Sequence, residues 1–301
     1  MSMAFSHDEL WPRAGSWPAP KAGEGADAAL IGVPTWRTSL SPTGAHATPA
    51  AIRDALPRYS ATLMGPPMVD LNETLRIVDA GDVHEPDGDE GVQRAVVRVR
   101  ELAEQTRLVI ALGGDNSLTY PVARGAGADG LITLDAHLDL RDGVSNGSPV
   151  RRLVEDAPEG ERIDPTRIVQ IGIADFANSA AYAQRAAEWG ISVITLDEVR
   201  EKGIPSVVAE ALAVAGAGSR IHLDIDVDVV DRSVAPGCPA SVPGGLAAGE
   251  LRALVRAIAA DEKVVSADIA EVDATADADD ARTVRLAALC VLELLAGLAA
   301  R

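Results

Sequence analysis

The chain is an acidic protein of 301 residues with an otherwise ordinary globular composition. Its 45 acidic and 27 basic residues give a formal net charge of -18, and this field repels nucleic-acid phosphates and anionic membrane surfaces. Aromatic residues make up only 3% of the chain, so ring stacking is not expected to be its main mode of recognition. Composition therefore excludes nucleic-acid and membrane partners, and the surplus of carboxylates would attract divalent cations.

Short, almost continuous aliphatic runs recur along the chain and predict strands covered on both faces. They span residues 28–34, 107–115, 130–139, 167–175, 191–199, 220–230 and 263–273. Helical spacing of apolar residues separates them, as at Val92, Val96 and Val99 or at Leu251 and Leu254. The alternation predicts an α/β fold of three αβα layers with a mostly parallel sheet. Surface loops are expected at 85–91 and 157–167, and no linker divides a single domain of residues 1–301.

Cysteine usage and the chain ends indicate a cytoplasmic protein. Only Cys238 and Cys290 are present, without the spacing of a disulfide framework or zinc site. The start, MSMAFSHDELWPRAG, carries acids where a signal peptide needs an apolar stretch. Residues 286–300 are apolar but contain Glu293 and are shorter than the ~20 residues that span a bilayer. They predict a packing helix.

Acids cluster where two of the predicted strands end. LDAHLDLRD contains Asp135, His137 and Asp139, and HLDIDVDVV repeats the two-residue spacing with Asp224, Asp226 and Asp228. In extended chain such residues project to one side, and burying them costs free energy unless a cation neutralises them. Any single acid could be a helix cap or turn residue. The combination favours metal, and oxygen ligands with one imidazole suit a pair of Mn²⁺ ions.

These acids resemble those of the ureohydrolase family, which includes arginase, agmatinase, guanidinobutyrase and formimidoylglutamase. The matching blocks run in family order through nearly the whole chain: GVP at 32–34, TGAHATPAAIR at 43–53, DAGDV at 79–83, GGDNS at 113–117, DAHLD at 135–139, LDIDVDVVDRSVAPG at 223–237, ADIAEVD at 267–273 and DDARTVRLAA at 279–288. The resemblance implies an arginase-like αβα fold with about eight strands, a trimer or hexamer, and two Mn²⁺ per chain bridged by a hydroxide that attacks the substrate.

By matching position, the resemblance also assigns a metal-ligand set: Asn116, Asp135, His137, Asp139, Asp224 and Asp226. Asp139 would also pass a proton to the leaving nitrogen, and Glu271 would hold the cationic amidine or guanidine unless it is only a sheet-end surface acid. Asn116 departs from the family, which has His in GGDHS. An amide oxygen is a weaker donor than imidazole, so we expect either a weakly held first metal or a water in place of the ligand.

The segment after the third acid favours formimidoylglutamase. Arginases and agmatinases have a longer interval and a His-Gly pair, where this chain has Asn146-Gly147 as a substrate contact. DLR followed by Gly-Ser-Pro, and IGIADFANSAAY at 171–182, resemble formimidoylglutamases. Arg141 could hold a substrate carboxylate, or it could simply pair with Asp142 or with an acid of the metal site. The implied reaction converts N-formimidoyl-L-glutamate and water to L-glutamate and formamide, a step in histidine degradation.

Two other functions stay open at this point. An agmatinase or guanidinoacid hydrolase, acting on guanidinobutyrate or arginine, would release urea instead of formamide. A catalytically silent, regulatory ureohydrolase-like subunit would explain why Asn116 and Asn146 both stand in place of histidine. No role is assigned to Cys238 or His46, and His222 could support the strand that carries Asp224.

Overall fold

Eight parallel strands form the central sheet of the computed structural model, which describes residues 8–21 and 23–301. In sheet order they are β4 (Ile77–Asp82), β1 (Ala26–Val33), β5 (Thr106–Gly113), β10 (Val264–Ala270), β9 (Ile221–Asp226), β6 (Gly130–Leu134), β7 (Ile168–Ile173) and β8 (Ser192–Thr195). All their pairings are parallel. A separate antiparallel pair joins β2 (Thr62–Leu63) to β3 (Val69–Asp70). The central strands are buried because helices cover both faces.

Helices form a layer on each side of the sheet. One layer contains α1 (Thr48–Ala55), α7 (Leu196–Lys202), α8 (Ile204–Ala215), α9 (Ala248–Ala259) and α10 (Arg282–Ala299), and its apolar residues share one core with the strands. The other contains α3 (Gly88–Ala103), α4 (Thr119–Gly125), α5 (Pro149–Glu155) and α6 (Ala180–Trp189). A four-residue helix, α2 (Leu71–Thr74), follows β3. The predicted three-layer αβα fold with about eight strands is confirmed.

Several boundaries differ from those read in the sequence. β4 was not among the predicted runs, because its residues IVDAGD form a partly exposed edge strand rather than an aliphatic one. The predicted loop at 85–91 is already helical from Gly88. The runs at 130–139 and 220–230 stop being strands at Leu134 and Asp226. Asp135, Asp139 and Asp228 therefore lie beyond the strand ends, whereas Asp224 and Asp226 belong to β9.

The amino-terminal prediction is only partly covered, since residues 1–7 of MSMAFSHDELWPRAG lie outside the described part of the chain. The predicted carboxyl-terminal packing helix is confirmed as α10, whose Glu293 is buried and pairs with Arg252 and Arg256 of α9. Among residues 8–21 and 23–301, no helix combines the length and hydropathy needed to cross a membrane.

Candidate metal and substrate site

The predicted site residues meet at the carboxyl ends of the four central strands. Asn116 comes shortly after β5, Asp135 directly after β6, Asp226 ends β9, and Glu271 directly follows β10. Since β5, β10, β9 and β6 are neighbours in the sheet, their ends lie side by side. Ligand sites of open parallel sheets occupy this position.

Asp135, His137 and Asp228 form one half of the site. One candidate ligand atom from each lies within 4.8 Å of the others. His137 Nδ1 is 2.6 Å from Asp228 Oδ2, and the Ala136 N–H donates to Asp228 Oδ1 over 3.0 Å. Asp135 is fully buried, and its Oδ2 receives no hydrogen bond from the described residues. Two carboxylates and an imidazole match the donors that Mn²⁺ accepts, so these residues fit a metal ion.

Asn116 and Asp139 form the other half, which adjoins Asp226 in the lining of the pocket only through Asp139. Asp139 does not continue an extended strand as we expected: its φ of 52° turns the chain back, and this turn carries its carboxylate to the amide of Asn116. Asn116 Nδ2 donates to Asp139 Oδ2 over 2.7 Å, while Asn116 Oδ1 accepts from Thr119 Oγ1 over 2.8 Å. Asp226 lines the same pocket and is almost fully buried.

These carboxylates are crowded enough to change their proton affinities. Burial, reinforced by the neighbouring Asp228 carboxylate, raises the pKa of Asp135 and that of Asp226 well above the ordinary aspartate value. Burial raises the pKa of Asp139 to about 7. Burial opposes protonation of His137, yet the adjacent Asp228 raises its pKa to about 10. The cluster therefore lacks positive charge, which a bound divalent cation would supply.

Asp224 lies elsewhere, and this differs from the sequence-based expectation. It sits in the middle of β9, in register with Thr133 of β6 and Asp268 of β10. Burial and the neighbouring Asp268 carboxylate raise the pKa of Asp224, and Asp224 is not among the residues that line the pocket. The acid that contacts His137 is instead Asp228, two residues beyond the strand end. The signal for Asp228 was available, because functional groups gather beyond strand ends rather than within them.

Glu271 is held by two donors at the centre of the site. Its Oε1 accepts from the Asn116 N–H and from Asn146 Nδ2, both over 2.8 Å. Burial, followed by repulsion from Asp115, raises the pKa of Glu271 to about 8. Glu271 is 4% exposed, so it is not the surface acid of the alternative interpretation.

The side chain of Asn146 has hydrogen-bond partners within the protein, whereas the guanidinium of Arg141 has no ion-pair partner among the described residues. The amide of Asn146 is used within the protein, because it donates to Glu271 and its Oδ1 accepts from the Leu40 N–H over 3.0 Å. The guanidinium of Arg141 is exposed in the pocket, and no ion pair to it occurs within the described chain. Asp142, the alternative partner for Arg141, pairs instead with Arg185 Nη1 at 2.8 Å.

The pocket above these residues is a cavity of about 260 Å³. Its buried acids are Asp139, Asp226, Asp228 and Glu271, and the exposed Arg141 lines it too. The arrangement can hold cations deep in the pocket and an anion near Arg141.

The three residues without an assigned role lie outside this pocket. His222 is fully buried between Ser266 and Asp268, at 2.8 and 3.0 Å from its two ring nitrogens. His222 lies in β9, the strand that carries Asp224, and its two partners lie in the adjacent β10. His46 is exposed and packs against the ring of Trp36. Burial, together with Asp226, raises the pKa of the Cys238 thiol well above its ordinary value.

Comparison with known proteins gives a consistent answer. Residues 26–297 match the model of the Arginase family. A formimidoylglutamase from Bacillus subtilis (strain 168) is 37% identical over 284 residues, which cover 90% of this chain and 86% of that protein. The crystal structure of formimidoylglutamase from Bacillus subtilis aligns with a TM-score of 0.89 at 32% identity, over 99% of this chain and 95% of that one. Trypanosoma cruzi formiminoglutamase with Mn²⁺ aligns with a TM-score of 0.85 at 26% identity, over 97% and 99%. The chain belongs to the arginase family.

Proposed function

We propose that this protein is a manganese-dependent hydrolase that converts N-formimidoyl-L-glutamate and water to L-glutamate and formamide. The observation that carries the proposal is that one pocket holds both buried acids and a cation. Arg141, which is exposed and free of any ion pair to the described residues, lines the same pocket as the buried acids. Formimidoylglutamate has a cationic amidine and two carboxylates. Agmatine is cationic at both ends and would meet Arg141 unfavourably.

The metal ligands we propose are revised from the sequence-based set. Asn116, Asp135, His137, Asp139 and Asp226 stay in it, and Asp228 replaces Asp224, since Asp228 contacts His137 and lines the pocket. Four carboxylates would then offset the four positive charges of two Mn²⁺ ions. Asn116 supports a weaker first site, because its amide already makes two hydrogen bonds within the protein.

Bound between these ligands, two Mn²⁺ ions would supply a water activated at neutral pH for attack on the amidine carbon. Glu271 holds the amidinium, with Oε1 fixed by the backbone of Asn116 and the side chain of Asn146. Arg141 binds a carboxylate of the glutamate portion. Asp139 uses the oxygen not occupied by Asn116 to deliver a proton to the glutamate nitrogen as the C–N bond breaks.

Product analysis tests the proposal directly. Purified protein with added Mn²⁺ is incubated separately with formimidoylglutamate, agmatine, arginine and guanidinobutyrate, and formamide and urea are measured. We expect formamide from the first substrate and little urea from the others. Urea release without turnover of formimidoylglutamate would contradict the proposal and favour a guanidine hydrolase. No turnover of any substrate, with well under one Mn per chain, would favour the silent subunit.

The cellular setting belongs to the same proposal. We infer a cytoplasmic enzyme, a single arginase-like domain over residues 1–301, and a homo-oligomer of three or six chains. Light scattering of the purified protein measures the oligomeric state independently of the assay.

A further inference from the structure

Asn146 and Gly147 both line the pocket, and each contacts a different charged residue of it. Asn146 Nδ2 donates to Glu271 Oε1, of the acid proposed to hold the amidine. Gly147 lies against the stem of Arg141, which is proposed to bind a carboxylate. Both residues line the pocket, yet the amide of Asn146 already has partners within the protein.

Asn146 joins Glu271 to a segment far away in sequence. We call residues 36–41 the entrance segment, because Leu40 and Ser41 line the pocket. Asn146 Oδ1 accepts from the Leu40 N–H over 3.0 Å, and the Asn146 N–H donates to the Thr38 carbonyl over 3.3 Å. The other end of the segment is held by Asp87, which accepts from the N–H groups of Trp36 and Arg37.

Gly147 is needed for space rather than for backbone conformation. Its φ does not lie in the left-handed region, so alanine could adopt its backbone. A Cβ at this position would meet Arg141 Cδ at 2.8 Å, and Arg141 Nε and Leu40 Cδ1 at 3.3 Å. The Gly147 carbonyl also accepts from the Arg141 N–H over 3.0 Å. A side chain at position 147 would therefore displace the stem of Arg141 from the place that it occupies.

We infer that the Asn146-Gly147 pair selects the substrate, since Asn146 holds Glu271 and Gly147 leaves the space that the Arg141 side chain occupies. Asn146 is accordingly a positioning residue for Glu271 and not the substrate contact expected from the sequence. Gly147 is a specificity-determining residue that admits an amidine carrying a carboxylate at the distance set by Arg141. This inference rests on the proposed function and names the residues that select an acidic amidine.

The test uses Mn²⁺-loaded protein and two probes, each matching one end of the substrate. Formamidine carries only the cationic amidine, and L-glutamate carries only the carboxylates and amine. Inhibition constants for both are measured beside kcat and KM for formimidoylglutamate, with bound Mn as a separate readout. Val144→Ala is the matched control. Val144 lies shortly before Asn146 in the chain, is 60% exposed and does not line the pocket.

Gly147→Ala should weaken binding of L-glutamate about tenfold and leave formamidine binding unchanged. The same substitution in an Arg141→Ala background should cost nothing further, because the side chain that it displaces is gone. Equal losses in both backgrounds would show that Gly147 acts on the fold rather than on Arg141 and would overturn the inference.

Asn146→Asp separates the two contacts of Asn146. The carboxylate can still accept from the Leu40 N–H but has no N–H to offer Glu271. We expect formamidine binding and kcat to fall about tenfold to a hundredfold, with L-glutamate binding within twofold of wild type. Unchanged formamidine binding would overturn the positioning role. Wild-type protein that hydrolyses no formimidoylglutamate would overturn the proposed function itself, whereas normal wild-type turnover with unaltered variants would overturn only this inference.

Discussion

Replacing Asn116 by histidine should affect the metal-free and the metal-loaded protein in opposite directions. In the metal-free site, Asn116 accepts from Thr119 Oγ1 and donates to the Asp139 carboxylate. A neutral buried hydrogen bond is worth about 1 kcal/mol and one to a charged acceptor about 1.5–3 kcal/mol. Histidine loses both, so the free energy of unfolding should fall by roughly 2.5–4 kcal/mol, which lowers the Tm by roughly 4–6 °C.

With Mn²⁺ present, the imidazole is the better ligand and should tighten the weaker site at least about tenfold, or about 1.4 kcal/mol. Calorimetric titration of metal-free protein with Mn²⁺ measures this affinity, and thermal unfolding with and without Mn²⁺ measures the stability. Asn72→His, at an exposed position of α2, is the control and should leave Mn²⁺ affinity unchanged. Unchanged Mn²⁺ affinity in Asn116→His would refute the placement of residue 116 in the ligand set.

Three further predictions concern the ligands, the substrate and the metal itself. Asp228→Asn should remove at least one Mn per chain in atomic absorption, because Asp228 contacts His137 beyond the strand end. Asp224→Asn should leave the Mn content unchanged, because Asp224 lies within β9 in register with Thr133 and Asp268; the reverse result would restore Asp224 to the ligand set. Arg141→Ala should raise KM for formimidoylglutamate about tenfold to a hundredfold with bound Mn unaltered, since one charge-assisted contact is lost; an unchanged KM would contradict it. EDTA should abolish turnover and lower the Tm, because the buried carboxylates lose their counter-charge, and Mn²⁺ should restore both; activity that survives EDTA would exclude a metal mechanism.

Most of the fold could be predicted from the sequence, for a physical reason. Strands buried on both faces must be aliphatic throughout, so all seven predicted runs contain a strand of the sheet. β4 was not predicted because it is an edge strand. Its partly exposed sequence, IVDAGD, contains acids and therefore lacks the continuous aliphatic pattern. The family was also predictable, because its motifs recur in order through the whole chain.

The site was less predictable, because side-chain spacing alone does not show where a strand ends. The repeat of Asp224, Asp226 and Asp228 offers two equivalent pairs, and only the end of β9 at Asp226 separates them. The turn at Asp139 is likewise absent from the D-x-H-x-D pattern, which suggested a straight strand. The ligand set, the metal count and the single-domain organisation stay predictions.

The sequence by itself determined the fold class, the family and the kinds of side chain at the site, since these follow from local periodicity and from motifs of a few residues. Tertiary structure decided which of those side chains meet. Asn146 reaches Leu40 across 106 residues and Glu271 across 125, and no local pattern records such contacts. Arg141 has no ion pair to the described residues, and its neighbour Asp142 pairs with Arg185 on α6 instead. Proximity between distant segments arises only when the sheet and its helices pack, and the meeting of buried acids with Arg141 in one pocket depends on that packing.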